Sequence, residues 1–491
     1  MSKWIMLIVV ILPILTGISL CMIPFRKRRS MLIYLEICVT LTSLLVLWML
    51  LDQPREALTV FRFTGNLSVT FRLDGPGSIY AGLVAFLWPL AMLYSFEYMK
   101  HEKGNEKSFF LFYVVTYGVT LGIALAENIL TMYFFFEMLS LVTLPLVMHT
   151  RTREAILASR TYLYYMLGGA AFAFIGMIFI LTYGTTSSFV PGGVLNPETL
   201  GSRSDLTLFI YVICFCGFSV KTALWPFSSW LPKAGVAPTP VTALLHAVAV
   251  VNTGAFAAMR VTYYSFGPKA VKGTWAQGVV MTLVIITIVY GCSRALKETH
   301  LKRRLAWSTV SNLSYILLGV TLMSPFGLVG AMAHLIFHSF MKICSFFCAG
   351  AVVYKTGRNY IYELDGFGRK MPKVFFIFTV SALALMGVPG LCGFVSKWYL
   401  ARAAVESGTV LGILGVAALL ISALLTAVYM LTIVVRAFFP GKNFDYETIR
   451  DVQDPNWMML VPLGIFVVGI FCFGLHAQPV IGLLEEIAAA F

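Results

Sequence analysis

Residues 334 to 342 read His334-Leu-Ile-Phe-His338-Ser-Phe-Met-Lys342, inside an apolar run at 328–355 that is long enough to cross a membrane. Four residues turn an α-helix by about 400°, so each of these titratable side chains is offset only about 40° from the previous one. The three side chains therefore share one helix face over about 12 Å. A row of titratable groups along a membrane span is typical of an ion path.

Composition places the rest of the chain in the membrane as well. Of 491 residues, 59% are hydrophobic and 12% are charged, whereas soluble globular chains carry about 25% charged residues. This balance excludes a soluble enzyme, a disordered chain and a disulfide scaffold. The apolar runs are continuous and of helix length, which predicts an all-α polytopic membrane protein of about fourteen transmembrane helices. The predicted spans are 4–25, 31–51, 76–98, 109–126, 129–149, 160–184, 206–226, 239–265, 274–293, 306–324, 328–355, 373–400, 407–438 and 456–477.

The distribution of cations predicts the orientation of the chain. The net charge is +14, and most of the lysines and arginines between spans fall in odd-numbered loops, which places those loops inside the cell. With an even number of spans, both termini are expected on the outer side. The basic run at 26–29 follows the first apolar segment, which indicates a first membrane helix and not a removed signal peptide.

Two spans contain sequences that break helices. The seventh runs into Leu224-Trp-Pro-Phe, and the twelfth contains Gly387-Val-Pro-Gly390. Proline removes a helix hydrogen bond, and broken backbone persists in a membrane only beside protein or water. Because the breaks lie five spans apart, they predict two inverted five-helix repeats, each with one broken helix. Two ordinary proline kinks are the alternative.

The two predicted repeats divide the chain into four parts. Residues 1–108 hold spans one to three and a short extramembrane hairpin at 57–73, and residues 109–265 form the first repeat. Residues 274–438 form the second repeat, and residues 439–491 hold the fourteenth helix.

Four further titratable residues are predicted at membrane depth. Glu137 and Lys221 would form a buried ion pair, in which a carboxylate that moves away would loosen the proton on the lysine; the alternative is a static structural pair. His246 is predicted as a relay group or as a hydrogen-bonded core histidine. Lys397 follows the second break and is predicted to line a cavity, unless its amine reaches the interface.

The row at 334–342 has alternatives of its own. The three groups could be satisfied by neighbouring backbone atoms. Haem ligation by His334 and His338 does not fit, because adjacent turns of one helix cannot approach one iron from opposite sides.

Several segments occur in a characteristic order. They are Phe136-Glu137-Met-Leu-Ser, Val220-Lys221-Thr-Ala-Leu-Trp-Pro-Phe, Leu231-Pro-Lys-Ala-Gly-Val-Ala-Pro-Thr-Pro-Val-Thr-Ala-Leu-Leu-His246-Ala, Leu301-Lys-Arg-Arg-Leu-Ala-Trp-Ser-Thr-Val and His334-Leu-Ile-Phe-His338-Ser-Phe-Met-Lys342. Over roughly residues 70–440 the chain strongly resembles the antiporter-like proton-translocating family shared by respiratory complex I, membrane-bound hydrogenases and Mrp-type multisubunit cation/proton antiporters.

The resemblance implies roles for the site residues. It implies fourteen helices, two inverted repeats and a hydrated proton axis at the middle of the membrane. Its proton-translocation residues in this chain are Glu137 as the carboxylate, Lys221 as its partner, His246 as a linker, His334, His338 and Lys342 as the central relay, and Lys397 as the terminal group. Asn252 stands where many members have a lysine. The length resembles that of the D subunit of Mrp antiporters, without an appended lateral helix.

The resemblance implies a proton-translocating subunit of a redox-driven complex, either complex I-like or a membrane-bound hydrogenase. Such a subunit would have no redox active site, metal or cofactor of its own, and no nucleic acid partner. Its partners would be the lipid bilayer and other membrane subunits, among them further antiporter-like ones, in the plasma membrane of a prokaryote. The alternatives are a D-like module of an Mrp-type Na+/H+ antiporter, a stand-alone solute/proton symporter and a non-pumping scaffold.

Overall fold

The computed structural model describes residues 3–65, 67–102, 104–195, 204–441 and 444–491, and this part of the chain is predominantly helical. It contains seventeen helices of nine or more residues. They are α1 (Trp4–Met22), α2 (Arg28–Asp52), α3 (Gly75–Tyr98), α4 (Glu106–Ala124), α5 (Ile129–Val147), α6 (Arg153–Tyr183), α7 (Ser204–Ser219), α8 (Thr239–Ala247), α9 (Val250–Arg260), α10 (Trp275–Lys297), α11 (Leu301–Thr321), α12 (Pro325–Thr356), α13 (Pro372–Met386), α14 (Cys392–Glu406), α15 (Val410–Phe438), α16 (Trp457–Leu475) and α17 (Gln478–Ala488).

The chain is a multi-pass membrane protein. Eleven helical stretches in its described part are long and apolar enough to cross a membrane. They coincide with eleven of the fourteen predicted spans. The seventh and twelfth predicted spans contain shorter helices because the backbone breaks there, and the tenth, α11, begins with three cations and is rich in polar residues. The number fourteen stays a prediction.

A β-hairpin precedes α3, as the alternating residues at 57–73 predict. Strand β1 (Leu58–Thr64) pairs antiparallel with β2 (Leu67–Phe71), and Leu58 lies opposite Phe71. The turn includes Gly65, whose φ of 50° lies in the left-handed region. The other predicted turn residue, Asn66, lies outside the described residues. The side chain of Asn128 donates to the Ser68 carbonyl at 3.1 Å, which holds the hairpin against the start of α5.

The second predicted break is confirmed between α13 and α14. Gly387 ends α13 with a φ of 93°, and Gly390 follows with a φ of 88°. Near the start of α14, only glycine fits at position 393. A Cβ on Gly393 would lie 1.9 Å from the carbonyl oxygen of Ala384. The Gly-Val-Pro-Gly sequence therefore interrupts the membrane helix and lets the two halves cross closely.

Replacing Gly393 with alanine is expected to destabilise the protein by about 1–3 kcal/mol, because the added methyl group forces the two half-helices apart. Gly464 is the matched control, since an added Cβ there meets no atom within 4 Å. The thermal midpoints of the two purified variants, measured in the complete complex, test this. Equal midpoints for Gly393→Ala and Gly464→Ala would contradict the close crossing.

The first break is also confirmed, but it begins earlier than the proline suggests. Helix α7 ends at Ser219, and the backbone stays irregular until the short helical turn Trp230–Lys233. Ala223 adopts a φ of 60°, which an L side chain rarely takes. The irregular segment thus includes Lys221 itself.

A third break lies at Val248 and Ala249, between α8 and α9. The span predicted at 239–265 is present as the stretch Thr239–Phe266, but its backbone is interrupted at this point, and other residues satisfy the interrupted backbone. The hydroxyl of Tyr80 lies 3.0 Å from the Val248 carbonyl oxygen, and the side-chain amide of Asn252 donates to the Ala247 carbonyl at 2.8 Å. Neither proline nor glycine marks the position.

Helix α12 forms the centre of the molecule. It packs against α8, α11, α13, α14, α16 and α17, and nearly all of its membrane-length window is buried. A helix that is buried on every side can carry polar groups that a lipid-facing helix cannot.

Candidate functional site

The three titratable groups of α12 are all completely buried. His334, His338 and Lys342 each have a relative exposure of 0%, and the two imidazole rings lie 5.8 Å apart between centroids. The predicted common face is therefore present in the folded chain. A charged side chain at membrane depth costs about 2.5–3.5 kcal/mol on insertion scales, so this cluster requires compensating partners.

Lys342 finds its partners on α11. Its amine donates to the carbonyl oxygen of Leu305 at 3.2 Å and to the hydroxyl of Ser308. Ser308 belongs to the Leu-Ala-Trp-Ser-Thr stretch of the sequence, but its contact with Lys342 could not be predicted from spacing. Among the described residues, the lysine is thus held by oxygen atoms that accept its hydrogen bonds, without a carboxylate in contact.

The histidines are only partly satisfied by protein atoms. Nδ1 of His334 lies 2.9 Å from the hydroxyl of Ser396 on α14. Within the described chain, Nε2 of His334 and both ring nitrogens of His338 have no hydrogen-bond partner. Most buried polar atoms in proteins are hydrogen-bonded, so such nitrogens call for an explanation. Groups that take up and release protons provide one.

Lys397 lies directly at the second break. Its amine donates to the carbonyl oxygens of Leu385 and Met386, at 2.6 and 3.0 Å. These carbonyls end α13, where the helix dipole concentrates negative charge. Lys397 is half-buried and directly follows Ser396, whose hydroxyl lies 2.9 Å from Nδ1 of His334. The break therefore brings Lys397 to the row on α12.

The structure describes both Glu137 and Lys221, and the predicted ion pair between them is not formed. Lys221 is buried, donates to the carbonyl oxygen of Phe136 and lies 3.4 Å from the centroid of the Phe136 ring. Oε1 of Glu137 is buried and has no hydrogen-bond partner among the described residues. The irregular backbone directs the amine of Lys221 to the carbonyl of Phe136, the residue before the carboxylate.

His246 is the second-last residue of α8, beside the third break. It is completely buried, its ring lies 4.9 Å from that of Phe346 on α12, and neither ring nitrogen has a partner in the described chain. The hydrogen-bonded core histidine that the sequence left open is therefore not observed in that part of the chain. The contact with Phe346 joins α8 to the helix that carries the row.

Asn252 bridges the third break to α12. Its amide donates to the Ala247 carbonyl and, at 2.7 Å, to the hydroxyl of Ser339, the residue after His338. Two residues further, a Cβ on Gly254 would lie 2.8 Å from the Cβ of Lys221, so this glycine lets α9 approach the first break. Polar contacts and close backbone approach therefore connect Lys221, α9 and α12.

A buried ion pair that the sequence analysis missed lies at the hairpin side of this axis. The guanidinium of Arg260, with an exposure of 0%, donates to both carboxylate oxygens of Asp74 at 2.5 Å. Asp74 also accepts from the Gly77 amide and so caps α3. The pair ties the end of α9 to the start of α3. The two residues are 186 positions apart, and no local pattern links them.

Removing one partner of this pair is expected to destabilise the protein strongly. Asp74→Ala leaves a buried guanidinium without its carboxylate, which costs about 3–5 kcal/mol. Glu406→Ala breaks the exposed pair with Arg402 and should leave the thermal midpoint unchanged. Thermal unfolding of the purified complex distinguishes the two. Equal midpoints would mean that the pair does not hold α9 to α3.

Comparison with known proteins identifies the family. The transmembrane family described as NADH:quinone oxidoreductase/Mrp antiporter matches residues 126–426, more than half of the chain. The chain belongs to this family. Its match begins before Glu137 and ends after Lys397, so it contains all seven predicted site residues.

Two curated members of the family show the range of similarity. NADH-quinone oxidoreductase subunit N of Desulforudis audaxviator is 28% identical over 410 residues, covering 81% of this chain and 80% of the relative. A protein of Alkalihalophilus pseudofirmus that is named as one of the subunits of a Na(+)/H(+) antiporter is 28% identical over 424 residues, covering 81% of this chain. That alignment covers only 51% of the antiporter protein, about half of its length.

Two solved structures share the fold. A chain of the membrane-bound sulfane sulfur reductase, an archaeal respiratory membrane complex, aligns with a TM-score of 0.85 and 19% identity, over 99% of this chain and 97% of its own. A chain of respiratory complex I from Thermus thermophilus aligns with a TM-score of 0.80 and 21% identity, over 99% of each chain. The family fold therefore extends over nearly the whole chain.

Proposed function

We propose that this chain is a proton-translocating, antiporter-like subunit of a larger ion-pumping membrane complex. The observation that carries the proposal is the buried row of His334, His338 and Lys342 on α12. His334 contacts Ser396, the residue before Lys397, and the ring of His246 contacts Phe346 on the same helix as the row. A scaffold has no need of buried lysines and histidines, whose insertion into the membrane is costly.

The architecture we propose has fourteen membrane crossings and two inverted repeats of five helices, at 109–265 and 274–438. Its support is that a backbone break follows α7 and another follows α13, five predicted spans apart. Half-helix ends at such breaks face ions in inverted-repeat transporters. The odd-numbered basic loops would face the cytoplasm of a prokaryote, which places both termini outside its plasma membrane.

Along this architecture, protons would pass between Lys221 in the first repeat and Lys342 in the second, and would leave near Lys397. His246, His334 and His338 would relay between these lysines, as their unpartnered ring nitrogens in the described chain allow. Protonated Lys342 and Lys397 carry like charges, so a proton that arrives at one would favour release from the other. This electrostatic coupling would drive the steps.

Glu137 would set the charge state of Lys221. A carboxylate that approaches the lysine favours its protonated form, and one that moves away favours release. The amine of Lys221 donates to the Phe136 carbonyl, and Oε1 of the adjacent Glu137 has no partner among the described residues. This arrangement supports a Glu137 carboxylate that can swing between two positions. Asn252, which cannot carry a proton as an amine does, would hold α9 against α12 in this path.

The proposed driving reaction lies in partner subunits, as it does in a redox complex. The relative named as a quinone oxidoreductase subunit supports this version, because this chain covers 80% of it. The relative named as part of a Na(+)/H(+) antiporter supports a second candidate, a module that exchanges Na+ for protons without a redox partner.

The experiment that separates these candidates is purification of the tagged chain from its native membrane. Co-purifying subunits are identified by mass spectrometry, and iron and nickel are assayed on the same sample. Subunits with iron–sulfur or nickel centres would support a redox-driven pump, and a metal-free set of small hydrophobic subunits would support a cation/proton antiporter. Recovery of the chain alone, with transport activity, would contradict both.

A further inference from the structure

A long apolar groove runs along the outside of the helix bundle, away from the row of titratable groups. It has a volume of about 710 Å³ and lies between α2, α3, α12, α16 and α17. Its walls are almost entirely aliphatic and aromatic, with Leu83 and Phe86 on α3, Phe340 on α12, and Ile465 and Val468 on α16. A surface of this kind at membrane depth fits a hydrocarbon chain.

The groove has the length of one lipid leaflet. Its lining on α3 extends from Gly75, the first residue of the helix, to Phe86. Eleven helical steps correspond to about 16 Å, which is about half the thickness of the hydrocarbon core. The groove therefore runs from the membrane surface that carries the hairpin to the middle of the bilayer.

The surface end of the groove is polar and carries a cationic side chain, Arg55. It is lined by Gln53, Arg55, Asp74 and Ser78. Asp74 is neutralised by Arg260, whereas Arg55 is exposed and forms no ion pair with any described residue. An arginine is well suited to bind phosphate oxygens through paired hydrogen bonds. This end therefore complements an anionic phosphate group at the membrane surface.

We propose that the groove is a binding site for a phospholipid, with the phosphate at Arg55 and one acyl chain along α3 and α16. The acyl chain would also contact Ile336 and Phe340, which lie two residues before and after His338 on the central helix. The bound lipid would thus lie against two residues of the helix that carries the titratable row. The site does not depend on the proposed proton transfer.

Photolabelling tests the site in the complete purified complex. The complex is reconstituted into liposomes that contain a phosphatidylglycerol with a diazirine near the end of one acyl chain, and cross-linked peptides are mapped by mass spectrometry. Labelling is expected on the peptides that contain Phe86 and Ile465. Absence of labelling there would mean that the phospholipid does not occupy the groove, which would overturn the proposal.

Variants that fill the groove supply the specificity test. Gly82→Phe places a ring in the groove, and this variant should lose the labelling. A Cβ at position 82 would have the side chain of Leu50 as its nearest neighbour, at 3.1 Å. Val468→Trp, at a position 60% exposed, fills the groove without disturbing the core and should do the same. Gly464→Phe, in open space outside the groove, should keep the labelling. Unchanged labelling in both filled variants overturns the site.

The headgroup contact is tested separately. Arg55→Gln should weaken phosphatidylglycerol labelling by about tenfold or more at low probe concentration, because the charge-assisted hydrogen bond to the phosphate is lost. Arg62→Gln, on strand β1 of the same membrane face, is the matched control and should leave labelling unchanged. A diacylglycerol probe that lacks the phosphate should label the groove weakly. Equal labelling by both probes would overturn the assignment of the phosphate to Arg55.

Discussion

Replacing Lys342 with methionine is expected to reduce proton transport by about a hundredfold or more, the contribution typical of a positioned proton-transfer group. Methionine is similar in length to the buried part of the lysine but cannot carry a proton. In the described chain Lys342 is held by the Leu305 carbonyl and the Ser308 hydroxyl, which are both uncharged. Its removal therefore interrupts the row without leaving a buried counter-charge unpaired. Transport is measured as acidification of inverted membrane vesicles.

The control for this variant is on the same helix. Lys355 lies in the last turn of α12 and is exposed, so Lys355→Met should transport normally. Assembly of the Lys342→Met complex is checked by its subunit composition and thermal midpoint. Replacement of a buried charge by an apolar side chain is often neutral for stability, so assembly is expected to be intact. Normal transport by an assembled Lys342→Met complex would contradict the role of the row.

Glu137→Gln is expected to reduce transport by about tenfold or more, because it removes the negative charge that acts on Lys221. Glutamine keeps the shape of the side chain, so α5 should remain in place. Glu137 is partly buried, and its Oε1 has no hydrogen-bond partner among the described residues. The substitution therefore breaks no hydrogen bond between Oε1 and a described residue. Proton flux in the same vesicle assay reports the effect.

Glu154 provides the comparison for this substitution. It lies in the first turn of α6 and is exposed, so Glu154→Gln should leave transport unchanged. If Glu137→Gln and Glu154→Gln transport equally, Glu137 has no part in proton transfer, and its interaction with Lys221 is only structural.

The central row could be predicted from the sequence because one helix determines it. A spacing of four residues places His334, His338 and Lys342 on one face wherever the helix lies, and the apolar run places that helix in the membrane. The second break was predictable for a similar local reason, since glycine readily takes a left-handed backbone, as it does at Gly387, and the following proline cannot continue a helix.

The contacts between helices could not be predicted in this way. The third break has no proline or glycine. It is stabilised by the adjacent Asn252 and by Tyr80, which lies 168 residues away in the sequence. Spacing also cannot show that the amine of Lys221 turns to a backbone carbonyl and not to Glu137. Such pairings depend on how separate helices pack, which periodicity along one helix does not encode.

Family resemblance extended the sequence argument from one helix to the whole path. Asn252 shows what the structure adds to it. From the sequence, this residue is only a departure from the lysine found in many members. In the folded chain it joins the third break to Ser339, beside His338, so the position has a structural task in this protein.

The number of protons moved per turnover of the complete complex tests the central claim most directly. The purified parent complex and a Glu137→Gln/Lys342→Met complex are reconstituted into liposomes with a pH-sensitive dye inside, and the driving reaction is monitored at the same time. If protons travel along the buried row, the variant moves fewer protons per turnover than the parent. An unchanged ratio in a fully assembled variant would contradict proton transfer through this chain.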